Sequence, residues 1–387
     1  MFLMSTMNGP MVSFVVPCYK LAHFLPECVN SILAQTYRNL EVLIMNDCSP
    51  DNTAGVASSF SDGRVRYIRN EQNLGHLRNY NKGIELSQGK YVWLISADDY
   101  LRNKNILERY VELMEKHPEV GYSFCPGFGV QNGQETALIG EYGKRDRIVN
   151  GRRLLEDLIH GNFVLAASAM ARRECYERIS LFPLDARWAD SPVEMGWVGD
   201  WYLWCVFALF FDVGYFAEPM VCYREHDLNM TATITRQETI DSCATADIAV
   251  PWLIKRQADI FGMGKASKRC LAAVANEYAR QAKSKRYRSG EVCLTTDQFE
   301  ESLCQSTDKE QERNWIRARF ADGLGDRFFL QGDLHTASTC YLYAVRKDPR
   351  FVKVYAKLAL LPLGRFGNSV RVLGRALRGA ASAFVTR

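Results

Sequence analysis

Residues 91–103 read YVWLISADDYLRN, and the fold turns on how they are understood. Tyr91 to Ile95 is a run of aromatic and branched apolar residues, the composition of a buried strand. The run ends on two adjacent carboxylates, Asp98 and Asp99. A solvated turn tolerates such a pair. A hard divalent cation uses it, because Mg2+ and Mn2+ take one or two protein carboxylates and complete their shell with phosphate oxygens and water.

The pattern repeats upstream. VSFVV (12–16) is a short apolar run closed by Pro17, followed by LEVLIMND (40–47) and RVRYIRN (64–70). Between and beyond them, 24–35, 53–60, 76–87 and 105–116 carry helical patterns. Alternating strands and helices predict parallel βαβ units with right-handed crossovers, an α/β fold. Ligands of such sheets bind beyond the carboxyl ends of the strands. Tyr19, Asp47, Asp98 and Asp99 each follow a strand, so they are expected on one edge. From Arg172 to Tyr223 the pattern loosens and becomes aromatic-rich, and VGYFAEPMVCYRE (213–225) reads as strand up to His226. Past residue 231, segments such as 241–286 and 309–332 read as helical. The expected division is a catalytic domain over 10–235 and a helical region over 236–387.

Composition narrows the function. The 387 residues carry 48 Lys plus Arg against 44 Asp plus Glu, and a net charge of +4 makes no case for nucleic acid. The twelve cysteines form no C-x-x-C pair and no Cys/His cluster at zinc spacing, which points to reduced thiols. The opening MFLMSTMNGPMVSFVV lacks a basic segment followed by a long apolar one. The longest apolar run, Leu203 to Phe211, falls far short of the roughly 20 residues that span a bilayer. A cytoplasmic protein is expected.

VSFVVPCYK, VLIMNDCSPDNT and RNEQNLGHLRNYNKGIELSQGKYVWLISADDYL, in that order, resemble the nucleotide-sugar half of a family 2 glycosyltransferase with the GT-A fold, over about residues 12–230. The resemblance implies an inverting enzyme with a nucleotide-diphosphate sugar donor, a divalent cation and a glycan or lipid-linked acceptor. By match to the family's motifs, Pro17 and Tyr19 line the base pocket and Asp47 hydrogen-bonds the base. Asp98 contacts the ribose or metal, and Asp99 ligates the metal. Arg78 matches the family's Arg-Asn helix, near the phosphates or in a surface ion pair. Asp200, in WVGDWYLW (197–204), matches the general base, with Asp190 and Glu194 as rivals. His226, in CYREHDLNMT, matches a late segment that closes over diphosphate or metal. The chain departs from the family at Asn46 and Cys48, where an acid and a glycine are common, and at Gly199, where Glu is frequent. Of Trp197, Trp201 and Trp204, at most one is expected to touch sugar.

Leu324, Gly325, Phe328, Ala337, Tyr341, Ala344 and Pro349 fall at the spacing of a tetratricopeptide repeat over 318–351, with no second copy. The tail, 364–387, places Val370, Leu373, Leu377, Ala381 and Phe384 on one face and Arg371, Arg375 and Arg378 on another. That pattern suits either an anionic membrane surface or a solvated terminal helix. Two rivals to a glycosyltransferase stand: a metal-dependent nucleotidyltransferase, and a non-catalytic interaction protein on a degenerate transferase fold.

Overall fold

The computed structural model describes residues 9–179, 181–188, 191–229, 237–281, 307 and 309–363. They fall into two compact units that divide after Ala266.

The first unit opens with alternating strands and helices: β1 (Val12–Cys18), α1 (Leu25–Leu33), β2 (Leu40–Asn46), α2 (Thr53–Ser58), β3 (Val65–Arg69), α3 (His76–Leu86) and β4 (Tyr91–Leu94). Then come β5 (Tyr100–Leu101), α4 (Ile106–Lys116), β6 (Val120–Phe124), β7 (Gly127–Gln131), β8 (Gln134–Ile139) and β9 (Arg147–Val149). Next are α5 (Gly151–Leu158), β10 (Met170–Arg172), α6 (Arg173–Arg178), the short pair β11 (Arg187–Trp188) and β12 (Ser191–Pro192), α7 (Gly199–Phe210), β13 (Asp212–Tyr215) and β14 (Val221–Arg224). An eight-stranded sheet runs β3-β2-β1-β4-β10-β6-β13-β9. Its first four strands are parallel, as the alternation predicts. Every residue of β1, β2 and β4 is buried, which is why these strands read as mostly apolar runs rather than alternating ones.

Two features had no sequence signal. Three-residue β10 inserts antiparallel between β4 and β6. Its Arg172 is buried and donates to the carbonyls of Val120 and His117 and to the Tyr91 hydroxyl, so its charge lies against the C-terminal end of α4. A second sheet, β5-β14-β7-β8, pairs β14 antiparallel to β5, the strand that follows Asp98 and Asp99. That pairing brings the segment after β14, with His226, back to the two aspartates.

The helices beyond β14 are α8 (Gln237–Ile260), α9 (Gly264–Gln281), α10 (Glu310–Leu330), α11 (Leu334–Lys347) and α12 (Val352–Leu360). The helical stretch expected from 241 breaks at Gly262, whose φ of +68° ends α8 in the left-handed conformation. In the second unit, α10 and α11 pack through Gly325, Ala337, Tyr341 and Ala344, all buried. A Cβ on Gly325 would lie 2.5 Å from the Tyr341 ring, so the small residue is what lets the two helices approach. Among the described residues no helix is long and apolar enough to cross a membrane. The basic tail, 364–387, lies outside the described residues.

Candidate active site

A cleft of about 540 Å³ opens at the carboxyl ends of β1, β2 and β4. Pro17, Tyr19, Asp47, Asp98, Asp99 and Asp200 all line it, so the expected convergence is present. Arg78 does not line it. Its side chain is exposed and has no ion pair among the described residues.

Asp47 is buried where β2 ends. Its Oδ1 accepts from the Leu74 backbone N–H and from Asn70 Nδ2, each at 2.8 Å. Asn70 Nδ2 also donates to Asn79 Oδ1, Asn79 Nδ2 donates to the Met45 carbonyl, and Lys82 Nζ donates to Asn70 Oδ1. Of the Arg-Asn pair on α3, the asparagine is therefore the half that the fold uses. Asn46 turns its amide to Ser49 and Tyr67 and does not line the cleft.

Cys48 adopts a φ of +55°, the left-handed region, where the resembled family has glycine. Replacing it by Gly should hold or raise stability by about 0.5 kcal/mol, since lost strain offsets the added freedom of the unfolded chain. Replacing it by Val should cost about 2 kcal/mol, because a β-branched residue fits this region worst. Urea unfolding of both variants measures the difference.

Asp51, for which the sequence suggested no role, ties two loops together. Its Oδ1 accepts from the Ser49 hydroxyl and the Thr53 N–H, and its Oδ2 accepts from the Ala22 N–H at 3.0 Å. Burial acts to raise its pKa, but these donors outweigh it and hold the carboxyl below the usual range.

Asp98 and Asp99 are both buried, and their surroundings differ. Asp99 Oδ1 accepts from the Arg224 N–H at 3.1 Å. Burial, and then the charge of Asp98 beside it, push its pKa well above the ordinary value. Asp98 Oδ2 meets His226 Nε2 at 3.0 Å and Asn229 Nδ2 at 3.4 Å. His226 Nδ1 accepts from the Leu228 N–H, so the ring proton sits on Nε2 and is donated to Asp98. Asp98 Oδ1 is buried with no hydrogen-bond partner among the described residues. An orphaned carboxylate oxygen is a costly group to bury and a natural ligand for a hard cation. Among the described residues no three His, Cys, Asp or Glu side chains gather as a metal cage. A cation here would rest on few protein oxygens and draw its other ligands from phosphate and water, which is the chemistry Mg2+ and Mn2+ favour.

Arg224 is one of the residues that sequence reasoning missed. Its guanidinium stacks on Phe24 and Tyr100 at 4.6 and 4.8 Å, pairs with Glu27 and donates to the Asp98 carbonyl at 3.0 Å. Together with its N–H on Asp99, it fixes the backbone and one carboxylate of the pair.

Across the cleft, Asp200 lies in the first turn of α7. Its Oδ1 accepts from the Trp201 N–H at 2.7 Å and its Oδ2 from Asn162 Nδ2 at 3.0 Å. Burial lifts its pKa from 3.8 to about 6, against the hydrogen bonds it accepts. The glycine before it has a packing cause. A Cβ on Gly199 would lie 2.9 Å from Phe182 and 3.0 Å from Leu77, so the family's Glu does not fit this packing. Of its rivals, Glu194 accepts from the Gly196 N–H and caps a short turn, and Asp190 lies outside the described residues. Trp197 and Trp204 line the cleft, whereas Trp201 is core and donates to the Leu158 carbonyl. His76, which carried no sequence signal, also lines the cleft and donates from Nε2 to the Gly196 carbonyl at 3.1 Å. Burial holds its pKa below the ordinary value.

Residues 13–180 match the family model for glycosyl transferase family 2. The chain is 30% identical over 194 residues to the uncharacterized glycosyltransferase EpsJ of Bacillus subtilis, covering 48% of this chain and 55% of that protein. It is 35% identical over 112 residues to glycosyltransferase GlyG of Streptococcus pneumoniae, covering 28% of this chain and 37% of that one. It thus spans little more than half, or less, of these relatives' length. Among solved structures, residues 1–349 of S. aureus TarS in complex with UDP-GlcNAc superpose with a TM-score of 0.57 at 15% identity, covering 87% of this chain and 90% of that one. Residues 13–180 thus match a family 2 glycosyltransferase domain, and the sheet order with the likeness to TarS gives the chain a GT-A fold followed by a C-terminal helical region.

Proposed function

We propose that the chain is an inverting glycosyltransferase. It moves a sugar from a nucleotide-diphosphate sugar to a hydroxyl of a glycan or lipid-linked acceptor, in the building of a surface polysaccharide on the cytoplasmic side of a membrane. The observation that carries this reading is the meeting in one cleft of Asp47, Asp98 and a half-buried Asp200 whose pKa is raised to about 6. A carboxylate at that pKa is ionised at neutral pH yet basic enough to take a hydroxyl proton, which is what in-line attack on an anomeric carbon requires.

Pro17, Tyr19 and Asp47 would hold the nucleoside, with Asp47 kept in place by Asn70 and Leu74. Asp98 would hold a divalent cation through Oδ1. His226 would orient Asp98 by donating to Oδ2, and could join the ion only after giving up that proton. When bound, the cation neutralises charge on the departing diphosphate. Asp99 and Arg224 would keep this rim rigid.

A nucleotidyltransferase would use a glycine-rich loop after β1 to cradle phosphates with backbone N–H groups. The loop here is PCYKLAHF, and two of its N–H groups are committed: Lys20 to the Ser49 hydroxyl and Ala22 to Asp51. The test is to incubate the protein with UDP-, GDP- and dTDP-sugars and Mn2+ or Mg2+, and to follow release of nucleoside diphosphate and the anomeric configuration of the product by proton NMR. Inverted configuration is expected. Retention would remove the role given to Asp200, and no release from any donor would count against a transferase.

A further inference from the structure

Asn162 lies on the loop after α5, exposed, in a stretch with no motif. Its side chain is nevertheless fixed at both ends. Oδ1 accepts from the Val164 N–H at 3.0 Å, closing a local turn. With Oδ1 committed to a donor, the amide orientation is settled, and Nδ2 must face the other way. There it donates to Asp200 Oδ2 at 3.0 Å. The neighbouring contact between the same two elements, Trp201 Nε1 to the Leu158 carbonyl at 2.6 Å, anchors α7 to the end of α5 and keeps this distance short. Each oxygen of Asp200 therefore carries one donor, Trp201 N–H on Oδ1 and Asn162 on Oδ2. The carboxylate cannot turn about its own axis without breaking one of them.

We propose that Asn162 is a positioning residue that holds the Asp200 carboxylate in its ionised, acceptor-facing orientation. The inference rests on the reading of Asp200 as general base. Two of its consequences are separable from a merely structural role. The donor stabilises the charged carboxylate, so its loss raises the pH at which the base is lost. It also fixes orientation, so its loss slows turnover without weakening donor binding.

The other charged or titratable groups that line the cleft are Cys18 and Tyr19 at the end of β1, Asp47 after β2, His76 and Tyr80 on α3, Asp98 and Asp99 after β4, and Tyr223 on β14, with His226 beside Asp98 and Glu194 on the loop before α7. None of them contributes to the shift of Asp200, which burial raises and only hydrogen bonds oppose. Tyr80 feels the Asp200 charge, and burial already keeps its hydroxyl protonated far above neutral pH.

Two variants of the 387-residue chain test the proposal through the pH dependence of kcat/KM. Asn162→Ala removes the donor and should move the acid limb up by about one pH unit, lowering kcat roughly tenfold with the KM for donor sugar unchanged. Asn162→Asp keeps the turn, because its Oδ1 still accepts from Val164, but replaces the donor by a second carboxylate. It should move the limb further than Asn162→Ala does. Thermal unfolding should leave both folded, since the side chain is exposed. Wild-type limbs in both variants would overturn the proposal, as would a rise in KM for donor without a shift of the limb. Asp200→Asn is run alongside. If it retains turnover, the general-base reading fails; if it is inactive while both Asn162 variants keep the wild-type limb, only the present inference fails.

Discussion

Asp200→Asn is expected to cut turnover by roughly 10³-fold or more at pH 7, with affinity for the donor sugar nearly unchanged. The amide keeps the shape of the side chain and can still accept from Trp201 N–H, but it cannot take a proton, and a positioned base contributes about 10²–10⁴-fold. The wild-type pH profile carries a matching signature. With Asp200 raised to about 6, kcat/KM should fall tenfold per unit below that pH, whereas an ordinary carboxylate would hold the rate down to about pH 4. The stability sign runs the other way. A carboxyl whose folded pKa is raised favours the folded state most below its unfolded value and loses that contribution as pH climbs through the folded one. At pH 7 the ionised Asp200 is therefore a burden on stability, and Asp200→Asn should melt at or above the wild-type temperature. Loss of rate with gain of stability marks a functional group; loss of both would mark a structural one.

Asp98→Asn is expected to abolish cation-dependent donor binding and to lower turnover by about 10³-fold. Among the described residues Oδ1 of Asp98 is buried without a hydrogen-bond partner, while its Oδ2 is held by His226 and Asn229. The substitution removes the negative charge a hard cation requires. It also removes the charge that helps push Asp99 upward, so without cation the variant should be no less stable than wild type. Thermal melts with and without Mn2+ check both halves. Wild type should gain on adding cation together with nucleoside diphosphate, and Asp98→Asn should not.

Much of this was legible in the chain because burial on both faces of a parallel sheet leaves a direct trace in composition. β1, β2 and β4 are mostly apolar and do not alternate, and the acids that follow them fall at the sheet's edge by topology alone. Three-residue β10 is too short for periodicity to register. Asp47, Asp98 and Asp200 could be named from motif order. Their supports could not, because each acts on a partner remote in sequence: Asn70 on Asp47 at a separation of 23, Asn162 on Asp200 at 38, and Arg224 on Asp99 at 125. Arg78 shows the converse. It stands in a recognisable motif, yet the helix turns it to solvent and directs Asn79 inward. Gly199 and Cys48 both depart from the family pattern: the Phe182 ring accounts for Gly199, whereas the left-handed backbone at Cys48 would favour the family's glycine and nothing in the structure explains the cysteine.

The most direct measurement is calorimetric titration of the full chain with UDP-, GDP- and dTDP-sugars, with and without Mn2+, for wild type, Asp98→Asn and Asp200→Asn. One donor should bind wild type and Asp200→Asn only when the cation is present, and Asp98→Asn in neither condition. Equal binding with and without Mn2+, or full binding by Asp98→Asn, would contradict a cleft in which acidic side chains and a divalent ion together hold the diphosphate.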